Sequence, residues 1–471
     1  MSALQSQPNG VEKAPEDFPH LQDVLGQMTF LKTYIVIAYG LRTRGGTDET
    51  TKALKDAAEK LVATFPWIAG HVVRQGSGPG KTGLATIVPY PPGERTTPVI
   101  VKDARDSSAS LDDIMEAGGP MHLLDGDVLA FRKGLPDSYD DSEEAAPVLV
   151  IQANIIKGGT VLCFQGNHHA MDMNGLAHMM RLFSKALRGE PFSDDEVKHG
   201  NRERRNVIKL LGPEDKRADI SNLVVKPASP GNPEANAPAP DVKWVYLHLD
   251  GPKLAELKAI AVASGAGEGA EQWISTDDAL TAFISQRITA ARMKRMGEKP
   301  PQFTLCRAVN GRRYLEPPLP KEYMGHMVTC TYTAVLPDSA IATSHLGVLA
   351  RQIRADILSI KSNDIESIAT ALHESDDKGA LNYGASVNMA SWDLMLSSFA
   401  GLGLNQIDFG NVLGGKPLFS KRPRFAPIEG LLYFMPRTDD GDVDVACCLR
   451  SEDIETLKKD AEFLKYGAYV G

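Results

Sequence analysis

The segment Phe164-Gln165-Gly166-Asn167-His168-His169-Ala170-Met171-Asp172-Met173-Asn174-Gly175 sets a histidine four residues before an aspartate, directly after the apolar run Val161-Leu162-Cys163-Phe164. A strand that ends in histidine presents an imidazole at the mouth of a sheet. Imidazole titrates near neutrality, so it can take a proton from a hydroxyl and later return it. Read from the residues alone, Asp172 would orient that imidazole, as the carboxylate of a catalytic triad does. Gly166 and Gly175 bracket the segment and would allow a ligand to approach the backbone closely. A metal is the competing use: His168, His169, Asp172 and His178 lie close in sequence, and zinc takes His and carboxylate ligands. No HExxH accompanies them, so neither a metal nor a bound cofactor is expected.

Two glycine-rich loops fail as phosphate sites. Gly76-Ser77-Gly78-Pro79-Gly80-Lys81-Thr82 has Gln75 where a P-loop needs its first glycine, and Pro79 removes an amide donor. It reads as a hairpin turn. Gly265-Ala266-Gly267-Glu268-Gly269 follows a helix and lacks the dinucleotide fingerprint.

The elements that must position the histidine alternate between helix and strand. Ala53, Leu54, Ala57, Ala58, Leu61, Val62 and Phe65 recur at helical spacing, and Pro66 ends the run. Residues 68–73 and 84–88 read as strands. Residues 148–155 and 160–164 read as a strand pair turning at Lys157-Gly158-Gly159, and 176–187 as the helix after the His motif. Further on, 244–249, 328–335 and 443–449 read as strands and 252–262 as a helix. Ser275-Thr276-Asp277-Asp278 caps another helix running to about Met293.

A chain of 471 residues is too long for one compact core, so two domains are expected. The Pro-rich stretch 226–240 is the strongest break, which divides the chain into residues 1–225 and 241–471 with a crossover linker between them. Residues 137–144 form an acidic loop. A net charge of −9 argues against a nucleic-acid partner. No membrane-length apolar run and no signal-type core at the N-terminus are visible, and the five cysteines are odd in number and sit mostly in apolar strands. These features predict a monomeric cytoplasmic protein with reduced thiols, no nucleic acid and no membrane partner.

After the HxxxD come Ala308-Val309-Asn310-Gly311-Arg312-Arg313, Pro317-Pro318-Leu319-Pro320-Lys321-Glu322-Tyr323-Met324-Gly325-His326, Ala390-Ser391-Trp392 and Asp408-Phe409-Gly410. In this order, with Phe65-Pro66-Trp67-Ile68-Ala69-Gly70 near the start, the chain resembles the BAHD acyltransferases along nearly its whole length. His168 through Gly175, Arg422-Pro423 through Tyr433-Phe434-Met435-Pro436 and the closing run 464–471 resemble the fungal trichothecene 3-O-acetyltransferases. Met173 after the motif aspartate, and Asn411-Val412-Leu413-Gly414 after Asp408-Phe409-Gly410, depart from the wider family.

The resemblance implies an α/β fold of chloramphenicol-acetyltransferase type, two domains with an active-site channel at their interface. It implies an O-acetyltransferase that uses acetyl-CoA as co-substrate and a secondary-metabolite alcohol as acceptor. His168 matches the catalytic base. Asp172 matches a residue that turns away from substrate and pairs with an arginine, for which Arg292 or Arg287 is the expected partner. Asn310, Arg312 and Asp408 match structural support of the site, with Asp408 paired to Arg312. Ser391 or Trp392 would donate to the tetrahedral oxyanion. Lys253, Lys258, Ser275 and Thr276 are the expected CoA contacts, by charge or by position at a helix start. Two alternatives accompany this reading: a condensation-type enzyme taking acyl groups from a carrier protein, and a non-catalytic metabolite binder.

Overall fold

The computed structural model describes residues 18–91, 93–94, 97–132, 134, 146–226, 240–264, 273–341 and 345–471. The acidic loop 137–144, the glycine loop 265–269 and nearly all of the linker 226–240 lie outside them.

A five-stranded sheet runs in the order Phe419–Lys421, Tyr34–Leu41, Gly159–Asn167, Leu149–Ile156, Val99–Asp103. Its inner strands are buried on both faces, and the polar side chains they carry there, Gln152, Asn154 and Gln165, are hydrogen-bonded. The hairpin turns at Gly158, whose φ of 83° is a left-handed value that glycine adopts without strain. Antiparallel register sets Tyr34 opposite Asn167 and Leu41 opposite Thr160, so the strand bearing the His motif is held along its whole length. Helix Met173–Leu187 then packs back beside helix Thr47–Thr64. The expected strand at 68–73 begins later, at His71: Pro66 opens a single 3-10 turn, Pro66–Ala69, before the chain extends.

A seven-stranded mixed sheet runs Val328–Val335, Phe303–Asn310, Leu394–Ser398, Leu431–Phe434, Val443–Arg450, Val242–Leu249, Gly467–Tyr469. One face carries helices Gly251–Ala263, Thr276–Met296, Leu346–Ser359 and Ser451–Leu457 over a core that includes Phe283, Leu305, Trp392, Leu396 and Phe434. A three-stranded sheet, Leu84–Val88, His71–Gln75 and Ala146–Pro147, carries the 76–82 turn, where Gly78 pairs with Lys81.

The halves interlock more than a boundary near residue 226 suggests. Strand Phe419–Lys421 comes from the second half but forms the edge of the first half's sheet, with Lys421 opposite Ala38 and Phe419 opposite Gly40. A third apolar cluster joins Leu25, Met28, Leu31 and Ile208 to Tyr323, Ile365, Ile368 and Leu372. Burying these faces against each other ties the two halves together at the level where the His motif emerges.

Candidate active site

His168 follows the last residue of its strand, and its amide donates to the Thr33 carbonyl at 2.9 Å. The side chain lies partly accessible on the wall of a cavity of about 990 Å³ between the two large sheets. Phe30, Thr33 and Asn174 line one side, and Asn310, Ser397 and Tyr433 the other. Burial pushes the His168 pKa down to about 4, and the nearby Arg422 charge adds to that shift, against an upward pull from Asp172. The imidazole is therefore neutral at physiological pH and able to accept a proton. His326 lies beside it, ring centroids 5.2 Å apart, and burial pushes its pKa to about 3.

Asp172 does not orient the imidazole. It caps helix Met173–Leu187, Oδ1 accepting from the Gly175 amide at 2.9 Å, and the same carboxylate receives Arg312 through two bonds of 2.7 and 2.9 Å. The Met327 amide adds a fourth contact at 2.8 Å. Burial alone would raise the pKa of this carboxyl, but the Arg312 charge and these donors hold it below the usual range. Arg312 in turn donates to the carbonyls of Tyr323 and Gly325 and to Asn310. Asn310 reaches across to Asn174 at 3.2 Å. The network fixes the loop after His168 to the loop after strand Phe303–Asn310.

The expected arginine partners are elsewhere. Arg292 is fully buried and donates to the carbonyls of Asp393 and Met389, and Arg287 faces Asp460 at 3.4 Å. Neither lines the cavity. With Arg312 committed to Asp172, Asp408 is left without the partner expected for it. Its Oδ1 instead accepts from the Gly410 amide at 2.8 Å, and its carbonyl accepts from Ser184. The adjacent Phe409 packs against Tyr39 and Phe164 behind the histidine strand, so this motif braces the sheet. Gly166 and Gly175 make room for protein rather than ligand: a Cβ on Gly175 would lie 2.1 Å from the Met324 carbonyl oxygen, and one on Gly166 2.8 Å from the Met171 sulfur. His169 turns to the Gly26 carbonyl at 2.6 Å, so the four clustered residues do not converge on a metal.

Neither expected oxyanion donor reaches the cavity. Trp392 is buried in the helical core of the seven-stranded sheet, and Ser391 is not among the lining residues. Trp392, in the turn before strand Leu394–Ser398, joins Leu394 and Leu396 in the helical core, while Met395, Ser397 and Ser398 line the cavity. Of the expected CoA contacts, Lys258, Ser275 and Thr276 line the cavity and Lys253 does not. Ser275 is spent as an N-cap for the Asp278 amide, and buried Asp278 already occupies that helix start, paired with Arg307 and Arg354. A phosphate there would meet a carboxylate. Residues to which the sequence assigns no role also stand at the site: His326, Arg307, Arg422 and Trp273, whose exposed indole lies under Lys258 and Arg354. His326 and Arg422 stand inside segments that carry the acyltransferase resemblance, but only packing brings them to His168.

Comparison with known proteins places this geometry in context. Residues 31–187 match the trichothecene 3-O-acetyltransferase-like N-terminal domain, and residues 122–464 match the Transferase family. The chain is 37% identical to O-acetyltransferase dmxR13 of Cryptosporiopsis sp., covering 95% of this chain and 97% of that protein. It is 35% identical to trichothecene 3-O-acetyltransferase TRI101 of Fusarium sporotrichioides, over 95% and 96%. The crystal structure of TRI101 from F. graminearum with coenzyme A and deoxynivalenol is similar at a TM-score of 0.86 and 32% identity, over 96% of this chain and 99% of that one.

Proposed function

The chain belongs to the BAHD acyltransferase family, as an acyl-CoA-dependent O-acyltransferase of the fungal trichothecene-acetyltransferase type, and from that premise we propose that it acetylates the 3-hydroxyl of a trichothecene-like sesquiterpenoid alcohol with His168 as general base. The observation that carries this reading is the position of His168 on the wall of a cavity that both sheets line, large enough for two substrates to meet, with burial holding its pKa down at about 4. The alcohol gives its proton to the imidazole as its oxygen attacks the thioester carbonyl carbon. The carbonyl π pair moves to oxygen, and a tetrahedral intermediate forms. As it collapses the C–S bond breaks, and protonated His168 returns the proton to the departing thiolate, giving free CoA and the ester. No acyl-enzyme is needed, because the thioester is already activated. Cys163 is buried in its strand, with its thiol pushed far up by burial, which removes it as a nucleophile.

Asp172 and Arg312 act on this chemistry only by holding the loop that follows the base. Lys258 and Trp273 at the cavity margin are the side chains that fit the nucleotide end of acetyl-CoA, by charge and by stacking. The test is thiol release from acetyl-CoA with T-2 or deoxynivalenol as alcohol, beside His168→Ala. Release that needs both the alcohol and His168 is expected. CoA binding by calorimetry without release would overturn the trichothecene assignment while keeping the enzyme class. Transfer from a pantetheinylated carrier but not from free CoA would overturn the donor.

A further inference from the structure

Buried arginines in this protein follow a rule. Arg204, Arg287, Arg292, Arg307, Arg312 and Arg354 each close onto a carboxylate or a main-chain carbonyl. Arg422 is equally buried, at 3% exposure, yet among the described residues its guanidinium has no carboxylate and no carbonyl partner, and its Nε is enclosed without a hydrogen bond. It is nonetheless held in place. The guanidinium lies 4.2 Å from the Tyr433 ring centroid and 4.6 Å from that of Phe425, and the Arg422 main chain is pinned on both sides by the Tyr246 hydroxyl at 2.8 and 2.9 Å. Two aromatic faces fix the plane of the group and leave its edge for the cavity that Arg422 lines together with His168.

An unpaired buried cation is costly unless something compensates it. Position says what that is. Tyr433 pairs in parallel register with Ser397, and both line the same cavity as His168 and Arg422, whose charge is near enough to act on the imidazole, so a carbonyl brought within reach of the base lies near the guanidinium as well. The phosphates of CoA need an open, solvated mouth, which this enclosed position does not provide. The residues first expected to hold the oxyanion, Ser391 and Trp392, are outside the cavity.

We propose that Arg422 is a further catalytic residue, whose guanidinium edge donates to the thioester carbonyl oxygen and to the oxyanion it becomes during transfer. The proposal rests on the acyltransferase reading but not on the acceptor's identity. The negative charge arises when the carbonyl π pair moves to oxygen, and it disappears when that pair re-forms the carbonyl as the thiolate leaves. Arg422 itself neither gains nor loses a proton. A fixed cation costs His168 some basicity and returns more where the charge develops.

The experiment compares wild type with Arg422→Lys and Arg422→Ala. Two rates are followed: thiol release with deoxynivalenol, and slow acetyl-CoA hydrolysis with no alcohol. Arg422→Ala is expected to lower kcat about 100-fold or more, with both KM values and calorimetric CoA affinity within about 3-fold. Lysine, a point charge without the fork, should lose about 10-fold. Millimolar guanidinium should restore part of the Arg422→Ala rate. The acidic limb of kcat/KM should move to higher pH in that variant, because His168 then loses the lowering pull of Arg422 and keeps the raising pull of Asp172. His326 responds instead to burial and to His168, Asp172, Arg312 and His169. A change confined to the KM of acetyl-CoA or of the alcohol, or kcat within about 3-fold of wild type, would overturn the proposal. If Arg422→Ala does not fold, Arg422→Lys decides by the same split of kcat from KM. Wild type inactive on deoxynivalenol but hydrolysing acetyl-CoA defeats the acceptor assignment alone, and the Arg422 dependence of hydrolysis then decides whether the guanidinium serves the oxyanion.

Discussion

Two buried polar regions lie side by side at the centre of this protein and are finished differently. Around Asp172 each charge is closed: the carboxylate receives Arg312 twice and two main-chain amides, and Arg312 is satisfied at every face. Next to it stand His326 and Arg422, equally buried, and the partly accessible His168, and among the described residues none of the three forms an ion pair with a carboxylate. The first region resembles the rest of a native interior, where buried polar groups are paired. The second retains unmet hydrogen-bonding capacity facing a cavity, which is the condition of a site awaiting a ligand. Asp172 and His168 belong to one short motif, yet the aspartate closes a structural network and the histidine faces the cavity.

The largest effect that tests this contrast is at His168. His168→Ala should lower kcat by about 10²–10⁴-fold with an unchanged melting temperature. A variant that keeps most of its activity would move the chemistry away from this wall.

The paired region should respond in stability. Arg312→Met strands a buried carboxylate and should cost about 3–5 kcal/mol, read as a lower urea midpoint. Asp172→Asn in the same chain should recover part of that loss, because the uncompensated charge is gone. Additive losses in the double variant would mean the two side chains are not coupled.

The two regions also differ in pH response. His168 and His326, at about 4 and about 3, lie below the ordinary value of 6.5, so the unfolded chain binds more protons between those limits. Stability should therefore rise as pH increases from about 4 to 6.5, and His326→Asn should flatten that slope. Asp172 acts lower: its folded pKa is depressed below 3.8, so its contribution is present above that value and is lost as pH falls through the folded pKa. Activity should stay level across about pH 5–8 and decline only as His168 takes its proton near 4.

The smallest effects belong to residues that the fold carries away from the cavity. Ser391→Ala and Lys253→Ala should leave kcat and KM within about 2-fold. A larger loss from Ser391→Ala would return the oxyanion to that strand end and weaken the case for Arg422.

Much of the architecture was legible in local pattern. Strand Val328–Val335 and helices Met173–Leu187 and Gly251–Ala263 follow from alternation and caps within a residue or a few. The crossover of strand Phe419–Lys421 into the first half's sheet has no such signal, since three residues of edge strand look the same wherever they pair.

What the sequence by itself determined is the identity and register of the proposed base. His168 stands four before Asp172, the aspartate caps the helix that begins at Met173, and both relations are local along the chain. What only the tertiary structure decided is partnership. Along the chain Arg292 or Arg287 is the expected partner of Asp172 and Arg312 that of Asp408, yet Arg312 holds Asp172, and it is packing that puts Trp392 in the helical core and Ser397 on the cavity wall. Charge pairs and pocket walls join residues far apart along the chain, as Asp172 and Arg312 are. Which of them meet depends on how two sheets pack, and no periodicity within either sheet encodes that.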